Sequence, residues 1–290
     1  MTNGQKLRKI LSDPGILVLP GVHDCVSAKL SEKAGFEVAF TSGFGISATM
    51  LGRPDFGFLT ATEMLWSVSR IVSSVDIPVV VDIDTGYGNP LNVIQTVEEV
   101  VRIGAGGIIL EDQQWPKKCG HFEGKRVITM QEHVEKIHAA VEARGDSELV
   151  IIGRTDSRAS DGIQEAINRG QAYFEAGADI VFIEAPQSVE ELKEIAEAFS
   201  GGIPLFANMV EGGKTPFLSA KELEDLGYKI VVYPLAGLFS ATRAIESCFT
   251  YLKEHGTSEG FQDMLKFKDF EEVIQTAKYR ELESKFKTGL

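Results

Sequence analysis

Three carboxylates and one thiol define the chemistry open to this chain. The run Val79-Val80-Val81-Asp82-Ile83-Asp84 is an apolar strand pattern that ends in two aspartates two positions apart, and residues so spaced on a strand share a face. Unaided, their charges repel. The next apolar run, Gly107-Ile108-Ile109-Leu110, ends in Glu111-Asp112. Three converging carboxylates make a divalent cation the natural way to hold the negative charge. Magnesium suits best, because it takes oxygen ligands, keeps several waters and needs only one or two direct carboxylates; manganese could substitute. Asp82, Asp84 and Glu111 are therefore the expected metal site, the alternative for the two aspartates being a cap on the following helix. Gly86 and Gly88 read as a tight turn that a ligand or metal approaches closely.

The thiol is Cys119, which follows Lys117 and Lys118 and precedes Gly120 and His121. In such electropositive surroundings it is expected to ionise more easily than a free thiol, whose pKa is about 8.5. The glycine-serine-glycine elbow of hydrolases is absent, and His121 is too near Cys119 in sequence to be an assured base partner, which argues against acyl transfer. Arg154, at another strand end, suits a bidentate grip on a substrate carboxylate or a structural ion pair with Glu184 or Asp156, and both can hold at once.

These residues need a frame that brings strand ends together. Eight apolar runs fit short strands: Ile16 to Leu19, Val38 to Phe40, Val79 to Asp84, Gly107 to Leu110, Leu149 to Gly153, Ile180 to Ile183, Leu205 to Ala207 and Ile230 to Val232. Amphipathic stretches alternate with them, and a glycine suited to a left-handed helix cap often precedes the strand. Eight such units predict a closed (β/α)8 barrel, whose active sites lie at the C-terminal mouth. An open doubly wound sheet is the competing topology, but no Gly-rich phosphate fingerprint follows the first strand. Strand-end polar residues mark that mouth: Asp24, Ser42, Asp82, Glu111, Arg154, Glu184 and Asn208. Solvated loop residues or helix caps are the other reading for Asp24 and Asp112.

The barrel is expected over residues 1–243 of a single domain, with a helical C-terminal extension over 244–290 in which Ile245, Phe249 and Leu252, then Phe270, Val273 and Ile274, recur at helical spacing. At 43% hydrophobic and 24% charged residues, the chain has material for one large core. Its net charge of -13 argues against nucleic-acid partners. No apolar leader and no run long enough for a membrane span is seen, so a cytoplasmic protein is expected. Three widely spaced cysteines indicate neither a disulfide framework nor a zinc site, and Cys25 and Cys248 read as buried packing residues.

At these residues the chain resembles the phosphoenolpyruvate mutase and isocitrate lyase superfamily over nearly its full length. The likeness rests on Thr41-Ser42-Gly43-Phe44-Gly45, Gly52-Arg53-Pro54-Asp55-Phe56-Gly57, Asp82-Ile83-Asp84-Thr85-Gly86-Tyr87-Gly88-Asn89, Glu111-Asp112-Gln113 and Lys117-Lys118-Cys119-Gly120-His121. Arg154-Thr155-Asp156, Glu184-Ala185 and the segment from Asn208 to Pro216 add to it. The resemblance implies a magnesium-binding barrel acting on a 2-oxo or 2-hydroxy acid, with a gating loop and an exchanged C-terminal helix in a homotetramer built as a dimer of dimers. It implies Asp82 as direct metal ligand, with Asp84 and Glu111 assisting directly or through water. It also implies Asp55 near the substrate, and Ser42, Gly43, Arg154 and Asn208 on the substrate's carboxylate and C2 oxygen. Phe44, Lys118, Gly120, His121 and Glu184 complete the implied substrate site, and Cys119 is the implied acid.

The Lys-Lys-Cys-Gly-His loop is like that of the carbon-carbon lyases. The wider run Trp115 to His121 is more similar to 2,3-dimethylmalate and 2-alkylmalate lyases than to 2-methylisocitrate lyases, and the resemblance implies cleavage of a 2-hydroxy dicarboxylate of any of these three types to a 2-oxo acid and a carboxylic acid. Carboxyvinyl-carboxyphosphonate mutases carry nearly the same loop, so a phosphonomutase is one alternative; an oxaloacetate hydrolase or decarboxylase is another, and a non-catalytic binding protein a third. Phe40 stands where several lyases carry a tyrosine near the substrate.

Overall fold

In the computed structural model, which describes residues 1–286, eight parallel strands close into a barrel in chain order. They are β1 (Leu17–Val22), β2 (Ala39–Thr41), β3 (Val79–Asp82), β4 (Gly107–Glu111), β5 (Val150–Thr155), β6 (Ile180–Ile183), β7 (Leu205–Asn208) and β8 (Ile230–Tyr233). Helices connect successive strands, as the alternation of patterns predicts.

The barrel's two faces follow from period-two alternation. Val80, Ile109, Ile152, Phe182 and Phe206 belong to the apolar cluster that fills the interior. The intervening Val81, Ile108, Leu110 and Ile151 belong to a separate cluster, and Val181 and Ala207 to a third. Two residues beyond each of the five interior positions stand Asp82, Glu111, Arg154, Glu184 and Asn208. The inward series therefore runs from a sealed apolar floor to a polar mouth. Helix Asn3–Ser12 helps close the opposite end, with Leu7 fully buried in the interior cluster.

Asp84 reaches the mouth differently from the way its spacing predicts. Strand β3 ends at Asp82, and Asp84 lies in the turn beyond it with φ 51°; its N–H donates to Asp82 Oδ1 at 3.0 Å. Neither aspartate caps a helix, because Asn89 caps the next one, Pro90–Ile103. The turn glycine Gly86 is explained by packing rather than by a ligand. A β-carbon there would lie 2.5 Å from Val93 Cγ2, and φ is already 76°.

The C-terminal extension is helical, over Ala236–His255, Phe267–Val273 and Thr276–Lys285. Its first helix, which directly follows β8, runs unbroken through Arg243. No residue of that helix is buried, and Phe239, Ile245, Phe249 and Leu252 stand exposed. All three cysteines are free thiols, and Cys25 and Cys248 are partly exposed, not buried as expected. Among the described residues no helix is long and apolar enough to cross a membrane.

Candidate active site

The mouth is built from strand ends and covered by the segment after β4. Glu111 and Arg154 are register partners on β4 and β5, which puts Arg154 Nη2 3.3 Å from Glu111 Oε2. The same nitrogen lies 3.0 Å from Glu184 Oε2 at the end of β6. Asp156 holds the guanidinium from behind, accepting from Nε at 2.8 Å and Nη2 at 3.1 Å, and the Phe182 ring lies 5.1 Å beneath it. The ion-pair reading of Arg154 is therefore what the structure contains, extended to three carboxylates. Asn208 Nδ2 donates to Glu184 Oε2 at 3.2 Å, while its Oδ1 is buried without a partner.

Lys117 is the mouth residue that sequence reasoning missed. Its ammonium is buried and donates to Asp55 Oδ2 at 2.6 Å, and it is 2.6 Å from Asp84 Oδ1. Lys118, chosen from sequence, turns outward: its Nζ reaches the Glu123 and Gly124 carbonyls on an exposed part of the loop. The pairing of Lys118 N–H and C=O with the Gln113 side chain, at 3.0 and 2.8 Å, fixes which lysine faces in.

From Lys117 to Lys125 the loop lies down over the mouth. Cys119 N–H donates to the Asp55 carbonyl at 3.1 Å, and Phe122 packs on Phe56 and Phe44, ring centroids 5.4 and 6.4 Å apart. His121 Nδ1 accepts from Lys214 N–H at 2.9 Å, which assigns the ring proton to Nε2, 3.2 Å from Glu184 Oε1. Gly120 has to be glycine, since a β-carbon would stand 2.5 Å from Arg154 Nη2 and 2.7 Å from Glu184 Cδ. At the opposite rim Ser42 caps helix Gly43–Leu51, its Oγ accepting from Gly45 N–H. A helix start leaves its first amides, here Gly43 and Phe44, as donors for an anion.

Burial dominates the electrostatics. It pushes the Asp84 carboxyl up, Lys117 opposes, and Asp82 and Asp55 add to the rise, leaving it at about 7. Burial also raises Glu111 well above the usual range, with Arg154 opposing. For Glu184 burial loses to Arg154 and to the His121 ring beside it, which hold it at about 2. The expected ease of ionisation at Cys119 is wrong: burial pushes the thiol up to about 11, against the His121 N–H, with Asp55 and Glu184 adding to the rise and Lys117 opposing. The two lysines beside it in sequence are outweighed by what surrounds it in space.

The donor set fits a hard divalent cation. Glu111 Oε1 is buried without a hydrogen-bond partner. Gly43, lacking a side chain, leaves room beside Asp82 Oδ2 and Asp84 Oδ1, which lie 2.9 and 3.5 Å from where a β-carbon would be. Among the described residues no three His, Cys, Asp or Glu side chains form a ready-made metal cage, and magnesium does not require one.

Comparison with known proteins gives the family of the chain. The phosphoenolpyruvate phosphomutase family model matches residues 7–252. The chain is 45% identical over 290 residues to a 2,3-dimethylmalate lyase from Eubacterium barkeri, covering all of both proteins. It belongs to the phosphoenolpyruvate mutase and isocitrate lyase superfamily. A solved 2,3-dimethylmalate lyase described as a member of that superfamily superposes with a TM-score of 0.93 at 34% identity, covering 100% of this chain and 99% of that one. A phosphonopyruvate hydrolase solved with oxalate and magnesium superposes with a TM-score of 0.89 at 31% identity, covering 99% of each. The chain is an enzyme of this superfamily, and its relatives include named lyases.

Proposed function

We propose that the chain is a magnesium-dependent carbon-carbon lyase that cleaves a 2-hydroxy dicarboxylate of the 2,3-dimethylmalate type to a 2-oxo acid and a carboxylic acid. The observation that carries the reading is the placement of the Cys119 thiol, held by its backbone to the Asp55 carbonyl above a mouth of carboxylates, where burial pushes it up to about 11. Likeness to 2,3-dimethylmalate lyase along the whole chain supports the substrate class. Asp82 would hold the ion directly, with Asp84 and Glu111 assisting directly or through water. Bound magnesium supplies Lewis-acid polarisation of oxygen atoms on the substrate.

The chain's own residues supply the rest. The free amides at Gly43 and Phe44, with Arg154 and Asn208, bind the carboxylate and C2 oxygen and orient the C2–C3 bond. A mouth carboxylate takes the C2 hydroxyl proton, and the electron pair of the breaking C2–C3 bond stays on C3. Cys119 gives its proton to that carbon, a transfer suited to a group kept protonated by burial. Phe122 packed on Phe44 and Phe56 keeps water from the intermediate. Phe40 offers no polar group there; it packs in the barrel interior on Phe206.

The test is 2-oxo acid release from a panel of 2,3-dimethylmalate, 2-alkylmalates and 2-methylisocitrate, with oxaloacetate and phosphonopyruvate as controls. Release from a hydroxy dicarboxylate is the expected result, and turnover of only the controls would move the enzyme to the hydrolase or phosphonomutase reading.

The exposed apolar faces of the C-terminal helices support exchange between copies in a homotetramer. Covering side chains such as Phe249 and Leu252 stabilises by about 1.5–3 kcal/mol each. Light scattering should give a tetramer, and an active monomer of 31.7 kDa would exclude it.

A further inference from the structure

A cation at the far end of the loop meets the mouth from behind Arg154. The Lys125 side chain is almost fully buried; its Nζ donates to the Gly120 carbonyl and, at 2.7 Å, to Asp156 Oδ1. That oxygen also accepts from Arg154 Nη2. Asp156 is itself fixed by the barrel: its N–H donates to Asp112 Oδ1 at 2.8 Å. Asp112 Oδ2 accepts from Thr155 Oγ1 at 2.7 Å, Tyr173 Oη at 2.7 Å and Arg169 Nη1 at 3.0 Å. Asp112, with no place at the mouth, is thus the anchor of a chain running Asp112, Asp156, Lys125, Gly120, and Gly120 adjoins Cys119.

We propose that Lys125 is a positioning residue for the reaction: by bridging Asp156 and the Gly120 carbonyl it ties the thiol-bearing loop to the group that aims Arg154. Two consequences follow from the geometry. With Lys125 in place the loop backbone at Gly120 is held in the space beside Arg154 and Glu184 where no β-carbon fits. Asp156 then carries two cations, and Lys125 holds the carboxylate whose two contacts aim the guanidinium. A lysine needed only to balance charge would have no reason to reach a loop carbonyl as well.

The kinetic part rests on the lyase reading, so the test has a separate arm that does not. In the full-length, ligand-free protein, alkylation of Cys119 by N-ethylmaleimide is followed by peptide mapping, which separates it from Cys25 and Cys248. Lys125→Met should raise the rate at Cys119 at least 10-fold and leave that at Cys25 unchanged, with Lys125→Arg restoring most of the protection. Lys125→Gln, which keeps a donor but no charge, should raise it at least 3-fold and serves if the methionine variant does not fold. On whichever substrate the panel identifies, Lys125→Met should lower kcat by about 10² with KM changed less than 5-fold, the split expected of lost positioning. Alkylation and kcat within 2-fold of wild type in the folded variants would overturn the proposal. A wild-type enzyme inert toward the whole panel would remove the lyase reading, and the alkylation arm would still decide for or against the tie.

Discussion

Replacing Cys119 by serine is expected to lower kcat for the proposed carbon-carbon cleavage by about 10² to 10⁴, the range a positioned general acid contributes. The hydroxyl fits where the thiol is but is a far poorer proton donor to carbon. In the proposed binding mode substrate is held from the opposite rim and by Arg154, so KM should move only a few-fold. The pH profile separates this role from a nucleophilic one. Burial that pushes the thiol up to about 11 keeps it protonated, so wild-type kcat should show no loss from thiol ionisation between about pH 7 and 9. A nucleophile would instead gain activity as the thiolate forms. Cys119→Ser with wild-type kcat would rule out the acid assignment.

Arg154→Lys is expected to reduce kcat by about 10² to 10³ while the protein still folds. The guanidinium makes two parallel contacts to Asp156 and lies against both Glu184 and Glu111. An ammonium is a point charge and cannot span them. One well-placed donor to a developing oxyanion is worth roughly 2.7–4 kcal/mol, which sets the size of the effect. Arg154→Met goes further, since it strands three buried carboxylates; breaking such an arrangement costs about 3–5 kcal/mol of stability. Kinetics and thermal melts on both variants check this. A fully active Arg154→Lys would show that Arg154 is only a structural brace.

How far these residues can be read from sequence depends on whether local pattern or three-dimensional neighbours fix them. Inward positions alternate along each strand, so Asp82, Glu111, Arg154, Glu184 and Asn208 are legible as one mouth once eight strands are counted. Asp24 reads from sequence as a mouth residue or a helix cap, and it is an exposed cap, its Oδ1 accepting from Ser27 N–H at 2.7 Å. Lys117 and Lys118 are indistinguishable by type, and only the Gln113 clamp and Asp55 select the first. Cys119 was misjudged because sequence neighbours stood in for spatial ones. Asp112 is legible as a strand-end carboxylate, but its anchoring role and that of Lys125 are not, as their Asp156 partner lies 44 and 31 residues away.

The central claim is tested most directly by incubating the wild-type enzyme with 2,3-dimethylmalate, first with magnesium, then with excess chelator, then with magnesium restored. Pyruvate and propionate released in equal amounts, lost with chelator and recovered with the ion, is the predicted result. No release from this or any other 2-hydroxy dicarboxylate, alongside turnover of oxaloacetate or phosphonopyruvate, would contradict it.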